Sequence, residues 1–148
     1  WDDVPRCDVV VASRSSQVAD LEAALLKMHA HARRRVYLTH RVGGRFLDDA
    51  VYDALGRTDE PLPDYIYALA ILHRHGIHPR LDYLESEGRL GRVADFEDCV
   101  RKVEWTLGAL TPEERQRLRA FYDRREGTLG GEPMRWAFIS WEVPARAR

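Results

Sequence analysis

The sequence predicts an α/β domain built on a largely parallel sheet, and three observations carry that prediction. After Asp8, Val9-Val10-Val11-Ala12 is an apolar run without alternation, ending abruptly in Ser13-Arg14-Ser15-Ser16. Such a run fits a strand covered on both faces, as in a parallel sheet. A helical pattern and a second apolar strand follow at once, which is the rhythm of a βαβ unit with parallel strands and a right-handed crossover. Finally, Met134–Val143 carries Trp136, Phe138, Ile139 and Trp141 on both of its faces, so this late strand belongs inside the sheet and not at its rim.

Each element has its own local grounds. Trp1–Arg6 reads as a loop leading into the first strand, Val9–Ala12. Ser15 or Ser16 is suited to cap the next helix, whose apolar positions Val18, Leu21, Leu25 and Met28 step by three and four. That helix is expected to end in Arg33-Arg34-Arg35, where cations complement the carboxyl end of the helix dipole. Val36–Thr39 is β-branched and aromatic, hence a strand, closed by the loop His40-Arg41-Val42-Gly43-Gly44. Leu47, Val51, Ala54 and Leu55 mark a short helix stopped by Gly56, and Glu60–Pro63 is a loop. Pro63-Asp64 opens a helix with Ile66, Leu69, Ala70 and Leu72 inward, stopped at Gly76. Arg80–Glu85 is a third strand with Leu81 and Tyr83 on one face.

The rhythm then changes. Glu87–Arg92 is a loop; Phe96, Val100, Val103 and Leu107 form a helical stripe behind the cap Asp95. Thr111-Pro112-Glu113-Glu114 is a strong helix start, with a cap, a proline in the first turn and a glutamate placed to reach back. Leu118, Phe121 and Tyr122 give that helix its apolar face. Gly127–Pro133 links to the last strand, and Pro144–Arg148 is a tail.

Composition narrows the function. The chain has 148 residues, 45% hydrophobic and 32% charged, which suits one globular domain and excludes a wholly disordered chain. A net charge of −1 gives no long-range attraction for nucleic acid or an anionic membrane. No apolar run approaches the ~18–20 residues of a membrane span, and no signal-peptide pattern is present. Cys7 and Cys99 lack metal-ligand spacing and are expected to be buried thiols in a reducing cytoplasm. His73 and His75 point to different faces of a helix and His78 lies beyond it, so no metal is expected there. The chain begins with Trp1, not Met, which suggests processing or a piece of something longer.

The order of these pieces resembles the C-terminal half of a class I S-adenosylmethionine-dependent methyltransferase. In that family the strand at the topological switch point reads like Asp8-Val9-Val10-Val11-Ala12 followed by Ser13-Arg14-Ser15. Arg35–Thr39 looks like the fifth strand and Arg80–Glu85 like the sixth. Arg135–Glu142 looks like the seventh, which in the family runs antiparallel between those two. The resemblance implies a three-layer partial Rossmann-like sheet of about four strands, the last one antiparallel, with helices on both faces. It spans residues 1–143, with a two-helix insertion at about 95–126 and a tail at 144–148.

The family's cofactor fingerprint, a glycine-rich turn after the first strand and an acid after the second, has no counterpart. Gly43-Gly44 follows the wrong strand and lacks the spacing. Missing with that turn are the backbone N–H groups that approach the cofactor. The resemblance therefore implies S-adenosylmethionine as the cofactor of a parent enzyme, bound weakly or not at all by this chain alone. It also implies a small-molecule methyl acceptor, with no nucleic acid or membrane partner.

By the same resemblance, Ser13, Arg14 and Ser15 line the crevice floor near the methionine end and the substrate, against a plain reading as caps and a solvated arginine. Trp1 is placed to pack on the adenine, while His40, Arg41, Tyr65 and Tyr67 are candidate substrate contacts against loop and packing roles. Catalytic residues are not assigned, because in-line methyl transfer rests mostly on alignment and needs a base only if the acceptor must lose a proton. A first strand without its neighbour would expose an apolar edge, which predicts a homodimer through that strand. Two other readings stand beside the enzyme fragment: a non-catalytic dimerisation or partner-binding module, and a flavodoxin-like nucleotide-binding domain.

Overall fold

The computed structural model describes residues 4–58, 60, 63–126, 129 and 133–144. The elements are β1 (Cys7–Ser13), α1 (Leu21–His31), β2 (Ala32–Arg41), α2 (Asp49–Leu55), α3 (Tyr65–Arg74), β3 (Arg80–Ser86), α4 (Phe96–Leu107), α5 (Pro112–Arg124) and β4 (Met134–Glu142). The chain divides into two compact units. One comprises Trp1–Gly44, Leu62–Leu84 and Arg135–Arg148; the other comprises Arg45–Pro61 and Glu85–Met134.

The first unit holds the sheet, in the order β1-β2-β4-β3. β1 and β2 are parallel, with Val9 opposite Arg35 and Ser13 opposite Thr39. β4 runs antiparallel to β2, with Val36 opposite Trp141 and Arg41 opposite Trp136. The last strand therefore sits between the second and third, as its two-sided apolar pattern requires. On one face, Ala12, Val36, Leu38, Ala137, Ile139 and Trp141 pack with Leu25 and Met28 of α1 and Ala68 and Leu72 of α3. Leu25, Leu72 and Ile139 are fully buried, each worth ~1.5–3 kcal/mol in transfer free energy. Both helices of this unit pack on that face. On the opposite face, Tyr37 stacks on Phe138 with ring centroids 5.7 Å apart.

β1 is the edge strand of the sheet. Val9 and Val11 are 45% and 65% exposed, so the valine run of β1 is left uncovered on one side. A groove of about 550 Å³ runs along this edge, lined by residues that include Val4, Cys7, Val9, Val11 and Met28.

Several local expectations are corrected. Asp20, not Ser15 or Ser16, caps α1: its Oδ1 accepts from the Ala23 N–H at 2.9 Å. Val18 lies outside that helix and is exposed. Arg33-Arg34-Arg35 does not end a helix but opens β2, where pairing with both neighbours overrides the poor strand propensity of arginine. There Arg35 meets Glu142, its cross-strand partner, at 2.5 Å, and Arg33 meets Asp8 at 3.6 Å. His40 and Arg41 are the last residues of β2 and not loop residues. In α3 the buried pair is Ala68 and Leu72, one turn apart, while Ile66 is 58% exposed and Ala70 is exposed. Of the two thiols only Cys99 is buried; Cys7 is exposed on the edge strand.

The second unit is helical. α2, α4 and α5 enclose Val51, Leu55, Cys99, Val103 and Leu118, with Leu47, Leu90 and Leu129 closing the core. α4 and α5 thus share one core with α2. Asp95 caps α4, accepting from the Asp98 N–H at 2.8 Å. Thr111 and Glu114 form a reciprocal capping box. The Glu114 carboxylate also accepts from Arg57 through Nε at 2.7 Å and NH2 at 3.1 Å, while Arg57 NH1 donates to the Leu107 carbonyl at 2.7 Å. These bonds hold the Glu114 pKa down at about 2, the Arg57 contact being the larger cause. Burial in the apolar core pushes the Cys99 thiol up to about 11.

Candidate functional site

In open α/β sheets the ligand crevice lies beyond the carboxyl ends of the parallel strands. Here those ends are Ser13 of β1 and Arg41 of β2, and the residues that follow β1 meet the last residues of β2. Arg14 leaves the strand with φ of 56°, in the left-handed region. Its N–H donates to Thr39 Oγ1 at 2.9 Å, which fixes the bend to the end of β2. Its guanidinium carbon lies 5.1 Å from the centre of the Trp136 ring. Ser13, Arg14 and Ser15 are all exposed.

Ser16 and His40 form the buried support beneath this bend. Ser16 Oγ lies 2.8 Å from His40 Nδ1 and 3.2 Å from the Thr39 carbonyl. His40 is 1% exposed, and its Nε2 lies 2.9 Å from the Pro63 carbonyl. A carbonyl only accepts, so Nε2 carries the proton and donates it. Both ring nitrogens of His40 are thus engaged by protein atoms, and the ring ties the end of β2 to the start of α3. Asp64 makes a second tie: Oδ1 accepts from the Tyr65 N–H at 2.6 Å and Oδ2 from the Gly43 N–H at 3.1 Å. The Arg41 guanidinium donates to the carbonyls of Val42 at 2.6 Å and Arg135 at 2.8 Å.

Of the remaining candidates, Tyr65 meets Tyr83 hydroxyl to hydroxyl at 2.6 Å, with the rings edge to face. That hydrogen bond, foremost, raises the Tyr65 pKa above the ordinary phenol value. Tyr67 is 62% exposed on α3. Trp1 lies outside the described residues. His73 and His78 are in edge-to-face contact at 4.9 Å, while His75 instead pairs with Glu22. Among the described residues no group of three or more His, Cys, Asp or Glu side chains is arranged to hold a metal ion. No helix is long and apolar enough to cross a membrane, among the described residues.

Sequence reasoning missed Thr39 and Trp136 as members of this cluster. It also placed His40 in a loop, although Val36, Leu38 and His40 continue a period of two that points all three to the buried face. Trp136 carried no signal of its own, because only the register against Arg41 brings it beneath the bend.

The fold is Rossmann-like and methyltransferase-like, a mixed sheet with β4 reversed between its neighbours. A candidate methyltransferase of known crystal structure from Bacillus halodurans C-125 superposes with a TM-score of 0.53 at 13% identity, over 94% of this chain and 65% of that one. Phosphoethanolamine N-methyltransferase 2 of Haemonchus contortus, solved with phosphomonomethylethanolamine and S-adenosylhomocysteine, gives 0.46 at 14% identity over 95% of this chain and 34% of that one. By sequence, the chain is 43% identical over 148 residues to an uncharacterised protein of Haemophilus influenzae (strain ATCC 51907 / DSM 11121 / KW20 / Rd), a match covering 97% of this chain and 54% of that protein. The chain therefore spans about half the length of this curated relative. No protein-family model matches the chain.

Proposed function

We propose that this chain is the C-terminal portion of an S-adenosylmethionine-dependent methyltransferase, that it forms one side of the cofactor crevice, and that the complete protein methylates a small molecule. The observation that carries this reading is the position of β1. A strand with apolar residues on both faces stands at the sheet edge with Val9 and Val11 exposed, and its carboxyl end bears the small polar bend at which such folds bind ligands. The sequence contains no glycine-rich turn that could cradle the cofactor from the other side. Ser13, Arg14 and Ser15 are the residues assigned to cofactor and acceptor. Tyr65 and Tyr67 lie on the helix that Asp64 anchors beside the end of β2. His40 and Arg41 act on the site through its framework, since their polar atoms are spent on Ser16, Pro63, Val42 and Arg135. The near-zero net charge favours a small acceptor over a nucleic acid.

Methyl transfer from a sulfonium centre is an in-line displacement, driven by alignment and by exclusion of water. When bound, the cofactor supplies the electrophilic methyl group. This chain's part is to hold the bend after β1 in one conformation, through the Thr39 hydroxyl and the Ser16–His40 support.

Titration calorimetry of this chain with S-adenosylmethionine tests the reading, and the expected result is binding no tighter than about 1 mM. Micromolar binding would show a complete pocket and overturn the one-sided crevice. The exposed edge also favours a second reading, a module that dimerises through β1. Light scattering tests association through β1: a dimer that Val11→Lys converts to a monomer supports it, and a wild-type monomer removes the module, while the calorimetry decides the enzyme reading.

A further inference from the structure

We infer that Arg14 is a binding site for an oxyanion, a carboxylate or a phosphate, at the end of β1. This rests on the crevice reading only for the biological source of the anion; the site itself is argued from geometry.

The backbone gives the first reason. Arg14 and Glu126 are the non-glycine residues with positive φ among those described. An L-residue in the left-handed region is strained by contact between its Cβ and the backbone, and glycine would occupy the position without that strain. Strained residues held by their surroundings cluster where a ligand is gripped. Here the holding contact is identified: Thr39 Oγ1 accepts the Arg14 N–H at 2.9 Å. The bend projects the side chain from the strand end and keeps it there.

The side chain gives the second reason. Its guanidinium lies 5.1 Å from the centre of the Trp136 ring, and Trp136 is itself buried, 5% exposed. A guanidinium resting against an aromatic ring keeps its N–H fork available at the edge, already oriented, with little side-chain freedom left to lose. Arg14 makes no ion pair with any carboxylate among the described residues, in contrast to Arg33, Arg35, Arg57 and Arg74 of the same chain. A planar, always-charged fork matches the two oxygens of a carboxylate or phosphate. Ser13 and Ser15, its neighbours in the chain, are exposed and carry hydroxyl donors of their own.

The anion has two natural sources in a methyltransferase crevice: the carboxylate of the cofactor's amino-acid end, or an acidic group on the methyl acceptor. The test needs neither of them to start. The chain is titrated with inorganic phosphate and with acetate at constant ionic strength, following the Arg14 Nε–H and the Ser13–Ser15 amides by NMR. The expected result is a saturable shift that is lost in Arg14→Gln and about tenfold weaker in Arg14→Lys. Arg14→Gly is the second variant. Relief of the left-handed strain should raise its melting temperature while the anion response disappears, a combination that a merely structural arginine would not produce. An anion response unchanged in Arg14→Gln overturns the proposal. A second arm compares S-adenosylhomocysteine with methylthioadenosine, the same thioether without a carboxylate. A shift at Arg14 with the former alone assigns the site to the cofactor, and silence of both, with phosphate still bound, assigns it to the acceptor. Cofactor calorimetry can fail while phosphate binds, so the two proposals fall separately.

Discussion

The helical unit and the sheet unit of this chain are stabilised in different ways. In the helical unit each helix carries its own punctuation: Gly56 in the left-handed conformation closes α2, Asp95 caps α4, and Thr111 with Glu114 opens α5. The core then follows from stripes of apolar residues three and four apart. In the sheet unit the decisive contacts join residues far apart in sequence. Ser16 meets His40, Arg14 meets Thr39, and His40 meets Pro63. Local signals mark the helix ends of the one unit, whereas the bend after β1 in the other is held by partners 24 and 25 residues away.

The largest expected effect breaks the helical unit. Leu118 is fully buried in its core, and Leu118→Ala should cost about 3 kcal/mol through lost transfer free energy and a residual cavity. Denaturant unfolding followed by far-UV circular dichroism measures it, and a loss below about 1 kcal/mol would mean that this core is loosely packed.

A smaller effect probes the sheet unit. Ser16→Ala removes the partner of His40 Nδ1 and should cost about 1 kcal/mol. His40→Ala should cost more, about 2–3 kcal/mol, because it also leaves a cavity and an unanswered Pro63 carbonyl. The two residues share one network, so the double variant should lose less than the sum of the singles. Strict additivity would dissolve the network that supports the Arg14 bend.

The comparison also explains what could be read in advance. The capping box and the glycine stop after α2 were legible because each leaves a mark in adjacent residues, whereas the reversal of the last strand came only from the resemblance to the methyltransferases. The cap of α1 was not. Ser15, Ser16 and Asp20 all suit the role chemically, and the choice of Asp20 was settled by the buried partners that Ser16 finds at Thr39 and His40. The arginine run misled for a similar reason. Three cations suit a helix end, yet the parallel partner β1 and the cross-strand carboxylate of Glu142 draw Arg33–Arg35 into the sheet. In the site, the bend after β1 was visible as Ser13-Arg14-Ser15. Its platform, Trp136, comes from the far end of the sequence and could not be foreseen without the register of β4.

The smallest effect is one of pH and sharpens the contrast from the other side. The folded Glu114 carboxyl titrates at about 2 against an ordinary 4.5, so the unfolded chain takes up its proton first. The contribution of the Arg57–Glu114 contact is therefore complete above about pH 4.5 and fades as the pH falls toward 2. Unfolding midpoints at pH 7 and pH 3 should drop in the wild type, and drop less in Glu114→Gln. Equal drops would place the acid sensitivity elsewhere.

The reversed strand has a consequence for the order of assembly. β3 lies at the far rim of the sheet and hydrogen-bonds only to β4 among the described strands, yet β4 is made some fifty residues later. While the ribosome is still delivering the helices between them, β1 and β2 can pair but β3 has no ladder to join. The sheet can finish only when Met134–Glu142 has emerged and slid into the waiting gap. Loss of that single stretch would part the sheet down its middle instead of trimming its border.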